Sequence, residues 1–216
     1  SVYDFSKPIV RSATDDDYYK LTMGQAIHHS YPAADTEWAL RVRSDEDLSP
    51  YIGEIREEID KLQDLSSTQD MLRHLRSIPY LKPDYVDYLE NFRLKPRYVK
   101  VGKANGQLEI RARGPWVGVS PFEIKILAIV SEIRNRHVYP DLSLEQVRAS
   151  LYKKFDWLLA NATPEELAEF KVADFGTRRR ISFKAQEEVV KTMMRDFPGV
   201  FVGTSNVHLA RELDIK

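Results

Sequence analysis

Apolar positions recur at helical spacing along much of the chain and alternate in a few short stretches. Thr14, Asp15, Asp16 and Asp17 precede a run through Ile27 that sets Tyr19, Met23, Ala26 and Ile27 on one helical face. Oxygen-bearing and acidic side chains suit a helix N-terminus, where free N–H groups and the positive dipole end lie. Pro32 marks its exit. Trp38, Leu40 and Val42 then alternate with Ala39, Arg41 and Arg43, predicting a half-buried strand. Ser49-Pro50 opens a second helix with the stripe Ile52, Ile55, Ile59 and Leu62, and shorter helices are predicted over Gln69–Arg76 and Asp84–Phe92. Val99 and Val101, then Leu108 and Ile110, flank Asn105-Gly106, a dipeptide that accepts the positive φ angles of a type I′ hairpin. From Pro121 to Val138 a helix is apolar on most faces, so it belongs deep in the core. Ser143 and Gln146 form a capping box for the helix that follows.

Beyond Thr163-Pro164 the pattern changes. Phe170–Phe175 reads as a strand ending at Gly176, Ser182–Phe197 as a helix, Val200–Val202 as a strand ending at Gly203, and Asn206–Leu213 as a helix. This β-α-β-α order predicts a parallel sheet covered by helices. The fold class is therefore α/β: an α+β domain over residues 1–165, with an α/β unit beginning at 166–216. Two parallel strands cannot bury both of their faces. Either they join a sheet built earlier or they begin a larger domain, and the second is the expectation.

The chain has 216 residues, 32 Lys+Arg against 33 Asp+Glu, and no cysteine. The near-zero charge removes any global field toward nucleic acid or anionic lipid. A disulfide framework and a thiolate zinc site are excluded. No apolar run approaches the ~20 residues of a membrane span, and the first residues, SVYDFSKPIVRS, lack the apolar stretch of a signal peptide. A soluble cytoplasmic protein, with neither nucleic acid nor membrane as partner, is the expectation.

Two loops carry candidate chemistry. Asp174–Arg180 follows the first strand of the β-α-β-α segment, and Gly203-Thr204-Ser205-Asn206 follows the second. Carboxyl ends of parallel strands are where α/β folds place their sites. Three arginines beside a hydroxyl-rich loop would suit a phosphate or carboxylate; the plainer reading is a turn followed by a solvated basic patch. Asp17-Tyr18-Tyr19-Lys20 could orient a ring, or could be an amphipathic helix with core tyrosines. Arg41 and Arg43 share one strand face, which is either solvated or meets a polyphosphate. His28-His29 point about 100° apart on a helix, so no metal site is expected. Glu123 and Glu132 sit in the apolar helix, where each needs a basic partner or a backbone N–H. Neither a G-x-x-x-x-G-K-[ST] loop nor a G-x-G-x-x-G loop occurs.

Asp17–Met23, Asp174–Ser182 and Gly203–Asn206, in this order and spacing, resemble the nicotinate phosphoribosyltransferase family. Weaker echoes lie at Ile78–Leu81, Gly114-Pro115-Trp116, Phe122-Glu123-Ile124 and Val130-Ser131-Glu132. The resemblance implies an irregular α/β barrel after the N-terminal domain. It implies an activity joining nicotinate to 5-phosphoribosyl 1-diphosphate in NAD salvage, with ATP hydrolysis and Mg2+, in a homodimer. It makes Tyr19 the ring that stacks on the pyridine from the partner subunit, with Phe175 on the opposite face. Arg178 becomes the arginine that neutralises a substrate carboxylate or phosphate. Thr204 and Ser205 stand beside the pyridine substituent, and Arg43 is a phosphate contact across the dimer. Ser205 occupies a position where nicotinamide-using relatives carry aspartate.

Asp16 replaces the family's usual threonine. No catalytic residue is expected within the chain, because the family's phosphorylated histidine belongs to a segment beyond Lys216; His208, the nearest histidine, is expected on the surface. The chain thus resembles the N-terminal half of such an enzyme and is expected to be inactive alone. The competing reading is a non-catalytic pyridine-nucleotide-binding or dimerisation module.

Overall fold

In a computed structural model describing residues 1–216, the alternation at Trp38 and Leu40 becomes strand β1 (Asp35–Arg41), exposed and half-buried by turns. Strands β2 (Val99–Ala104) and β3 (Gln107–Pro115) form the expected hairpin, with φ of 53° at Asn105 and 77° at Gly106. The sheet order is β1-β3-β2, antiparallel throughout, with Leu40 opposite Ile110 and Val101 opposite Ile110 on the other side.

The helices are α1 (Tyr18–Ser30), α2 (Ile52–Lys61), α3 (Gln69–Arg76), α4 (Pro83–Asn91) and α5 (Trp116–Val119). They continue with α6 (Phe122–Val138), α7 (Leu144–Asn161), α8 (Pro164–Glu169), α9 (Phe183–Asp196) and α10 (Val207–Glu212). The predicted capping box at Ser143 and Gln146 starts α7, and a second, at Thr163 and Glu166, starts α8. Helix α6 lies deep, as its pattern requires. Its Phe122, Ile126, Ile129 and Ile133 pack with Ile55 and Ile59 of α2 and with Leu108, Ile110 and Ala112 of β3. Burial of each large side chain there contributes about 1.5–3 kcal/mol, so this cluster is the main source of cohesion.

The last fifty residues build a parallel pair, β4 (Val172–Asp174) and β5 (Phe201–Thr204), with Asp174 opposite Thr204. Helix α9 packs against α7 and β5. The pair is tied to the start of the chain by backbone bonds: Tyr18 N–H donates to the Ser205 carbonyl, Val207 N–H to Asp16, and His208 N–H to Thr14, each at 2.9 Å. Residues 14–18 therefore run alongside the β5–α10 corner.

This pairing changes the reading of α1. Its buried residues are Lys20, Gly24 and Ile27, while Tyr19 is 45% exposed and Ala26 is exposed. A side chain at Gly24 would collide with the Tyr85 hydroxyl, so glycine lets α4 press on α1. The acids before α1 do not form a solvated cap; Asp15, Asp16 and Asp17 are all buried, and Asp17 makes no capping bond. His208, expected on the surface, is half-buried, its ring 5.6 Å from that of Phe183. Phe170 and Phe175 fall outside β4, which pairs only where β5 runs beside it.

Candidate functional site

Three consecutive carboxylates meet three different partners under the β5–α10 corner. Asp15 accepts two bonds from Arg180, at 2.6 and 2.8 Å, and one from Asn206 Nδ2 at 2.9 Å. Asp16 accepts from Lys125 at 2.7 Å, and Asp17 accepts from the Ser205 hydroxyl at 2.7 Å. Burial works against ionisation at all three. At Asp15 the Arg180 charge and the bonds from Arg180 and Asn206 outweigh burial and hold the pKa below the ordinary carboxylate range. At Asp16 burial prevails over Lys125, and the pKa is raised. At Asp17 burial again raises it; the Ser205 bond opposes, and the nearby charges of Asp16 and Asp174 add to the rise.

The expected pairing of the acids on α6 is present. Glu123 binds Lys20 at 3.0 Å, while buried Glu132 accepts from Arg136 at 2.6 Å and from the Phe183 N–H at 3.0 Å. Buried Lys20 and Lys125 therefore each neutralise an acid and fix α6 against the segment carrying Tyr18 and Tyr19.

Beside this layer an open cleft of about 730 Å³ lies at the carboxyl ends of β4 and β5. It is lined by Tyr18 and Tyr19, Ser77–Tyr80, Ala173, Phe175, Val202–Ser205 and Lys216. The cleft combines rings with a few polar atoms, the usual make-up of a small-molecule site. Phe175 is 71% exposed and Tyr80 50%, a large apolar exposure within one cleft. Burial raises the Tyr19 hydroxyl pKa, with Glu123 adding and the charge of Arg178 acting in the other direction.

Of the residues singled out in the sequence, Tyr19, Phe175, Thr204 and Ser205 line this one cleft within a single chain. Arg178 is exposed just after the Phe175 loop, is not part of the lining, and carries no ion pair. Arg43 lies past the end of β1, exposed and away from the lining. The three arginines are not one basic patch, since Arg180 is buried and ion-paired. No group of three or more His, Cys, Asp or Glu side chains is placed to hold a metal ion.

The sequence reading gave no role to Asp174, Thr177, Gln186 or Asn206. Asp174 accepts from the Gly176 N–H at 3.0 Å, Gln186 Nε2 at 2.9 Å and the Thr204 hydroxyl at 2.7 Å. Thr177 Oγ1 accepts from Gln186 at 3.1 Å and from Asn206 at 3.0 Å. The available signal was the position of these polar residues at two successive strand ends. The turn Ser77–Tyr80 was legible only through the Ile78-Pro79-Tyr80 echo.

The geometry agrees with the comparisons. Residues 14–131 match the nicotinate phosphoribosyltransferase (NAPRTase) N-terminal domain, and residues 170–216 match the nicotinate phosphoribosyltransferase (NAPRTase) family. The chain is 57% identical over 212 residues to nicotinate phosphoribosyltransferase 1 of Pseudomonas aeruginosa and 55% identical to the enzyme of Ectopseudomonas mendocina, covering 98% of this chain and 53% of each relative. It spans about half the length of the curated relatives it matches. The crystal structure of nicotinate phosphoribosyltransferase from Vibrio cholerae superposes with a TM-score of 0.92 at 36% identity, over 98% of this chain and 51% of that one. The Porphyromonas gingivalis structure gives 0.84 at 32% identity, over 96% and 52%. With both of its segments matched and its fold reproduced by solved members, the chain belongs to the nicotinate phosphoribosyltransferase family.

Proposed function

We propose that this chain supplies the pyridine-binding cleft of an enzyme that forms nicotinate mononucleotide from nicotinate and 5-phosphoribosyl 1-diphosphate in NAD salvage. The observation that carries the reading is the convergence of Tyr19, Phe175, Thr204 and Ser205 on one cleft, in a chain of this family. Phe175 presents an exposed ring, and Tyr19, expected from a partner subunit, lines the same cleft within this chain. Offset stacking on such rings contributes about 0.5–1.5 kcal/mol beyond area burial. Arg178, exposed and unpaired, offers a planar fork for a carboxylate or phosphate. Arg43, exposed past the end of β1, is the phosphate contact to a second copy in a homodimer on this reading.

ATP coupling and Mg2+ belong to the same reading. The residues of this chain do not gather a metal-ligand set, so no step is derived through the ion. The phosphorylated histidine is attributed to the part of the longer relatives that this chain does not span, which makes the 216 residues alone inactive. A cytoplasmic location goes with a salvage enzyme. The reading is tested by radiolabelled nicotinate conversion, with sugar diphosphate and ATP, using the full-length protein. Absence of conversion would reject it.

The second reading, a non-catalytic pyridine-nucleotide-binding or dimerisation module, draws on one observation: residues of this chain alone line the cleft. Saturable nicotinate binding without turnover at full length would favour it.

A further inference from the structure

The two walls of the cleft share a single carboxylate. Asp174 Oδ1 accepts the backbone N–H of Gly176, and so fixes the loop that displays Phe175. Its Oδ2 accepts the hydroxyl of Thr204 at the end of β5 and the side chain of Gln186 on α9. Thr204 Oγ1 in turn accepts the N–H of Asn206 at 3.1 Å. The hydroxyl proton of Thr204 is thus committed to Asp174, and one of its lone pairs to the backbone. Although Thr204 lies in the cleft lining, its hydroxyl serves the wall rather than a ligand.

We infer that Asp174 is the positioning residue that sets the distance between the ring wall at Phe175 and the polar wall at Thr204 and Ser205. This rests on the reading of the cleft as the pyridine site. The acceptor pattern is strict, because three donors converge on the two oxygens. An amide at this position must turn its NH2 either toward Thr204 and Gln186 or toward Gly176, and in both orientations donors face donors. The two walls then lose their common tie while the apolar core, centred on α6, is untouched.

The test uses the full-length protein with two variants, Asp174→Asn and the milder, nearly isosteric Thr204→Val. Amide hydrogen exchange on the unliganded protein comes first. Exchange at Gly176 and Asn206 should rise in Asp174→Asn and at Asn206 in Thr204→Val, while Val101 and Ile110 in the antiparallel sheet keep wild-type rates. In steady-state assays, the KM for nicotinate should rise about tenfold, as for loss of a hydrogen bond to a charged group, with the KM for 5-phosphoribosyl 1-diphosphate unchanged. The double variant should be no worse than Asp174→Asn alone, because both remove the same bond. Unchanged exchange at Gly176 and Asn206 overturns the positioning role whatever the kinetics. Raised exchange with an unchanged nicotinate KM overturns the claim that these walls hold the ring. A wild-type protein that does not use nicotinate rejects the underlying reading instead, and the exchange data tell the two failures apart.

Discussion

Asp15 and Arg180 lie 165 positions apart in the chain yet meet in a two-pronged ion pair, at 2.6 and 2.8 Å, with both side chains almost wholly out of water. The same guanidinium donates to the Ile9 carbonyl at 3.1 Å. Breaking such a pair leaves an uncompensated buried charge, which costs about 3–5 kcal/mol. Asp15→Asn should lower stability to chemical denaturation by that order; Arg180→Lys, which keeps the charge but loses the second prong, should lower it by less. The Asp15 pKa is lowered in the fold, so its contribution holds above the unfolded-state value and is lost as pH falls through the folded one. A denaturation midpoint unchanged in both variants would show that the pair contributes little.

Arg178 and Phe175 should behave in the opposite way. Both are exposed, and surface changes away from special features stay within about 0.5 kcal/mol of wild-type stability. Phe175→Ala should nevertheless weaken nicotinate binding at full length by about 1–3 kcal/mol, combining lost stacking and apolar burial. Arg178→Lys should impair turnover with the melting temperature unchanged, because lysine lacks the planar fork. Wild-type kinetics in both variants would remove these residues from the site; a failing Arg179→Lys beside a normal Arg178→Lys would move the role by one position.

His208 should make stability depend on pH near neutrality. Its pKa is lowered, chiefly by burial against the core, with the charge of Arg211 acting in the same direction and Asp15, Glu212 and Glu187 opposing. His74 is lowered for the same reason, with Arg211 adding and Asp214 opposing. The unfolded chain therefore takes up protons first. Stability is full above the unfolded histidine value, about 6.5, and falls as pH drops below it toward the folded values. The raised carboxylates Asp16, Asp17 and Glu132 have the opposite sign and gain stability on acidification. Comparing denaturation curves at several pH values for wild type and His208→Gln isolates the histidine: the variant should lose less stability between neutral and mildly acid pH. Identical slopes would show that His208 does not titrate differently in the fold.

Ser205→Asp tests the choice between nicotinate and nicotinamide. The new carboxylate would face Asp17, which already accepts the Ser205 hydroxyl, with Asp174 nearby. Like charges in a poorly solvated pocket are strongly unfavourable. Nicotinate use should fall much more than nicotinamide use, and part of the loss should be shared because the Asp17 bond is gone. Equal losses for both substrates would leave charge discrimination without support.

Local signals carried most of this fold. The Asn105-Gly106 hairpin, the capping box at Ser143 and the apolar helix from Pro121 follow from short-range pattern and are present; the strands predicted at Phe170–Phe175 and Val200–Val202 are present as Val172–Asp174 and Phe201–Thr204. What the pattern did not give was the fate of polar residues with distant partners. Asp15–Asp17 have the composition of a solvated helix start, and only the bonds to Arg180, Lys125 and Ser205 show that they are interior. Arg180 differs from Arg178 by burial alone, which no spacing within Thr177–Arg180 encodes. Asp174 belongs to the Asp174–Ser182 motif, but its three donors come from two strand ends and a helix, so its importance depends on tertiary position.

The strap formed by residues 14–18 along the β5–α10 corner has a consequence for biosynthesis. Tyr19 leaves the ribosome early, but its side of the cleft has no opposite wall until the chain has grown past Asn206. At ordinary elongation rates of ~5–20 residues per second, that interval is roughly 10–40 s. Throughout it Asp15, Asp16 and Asp17 can stay hydrated and charged, since burial awaits partners not yet all made. The nascent N-terminal region can therefore settle around α6 and its sheet first, with the ligand cleft among the last features to close.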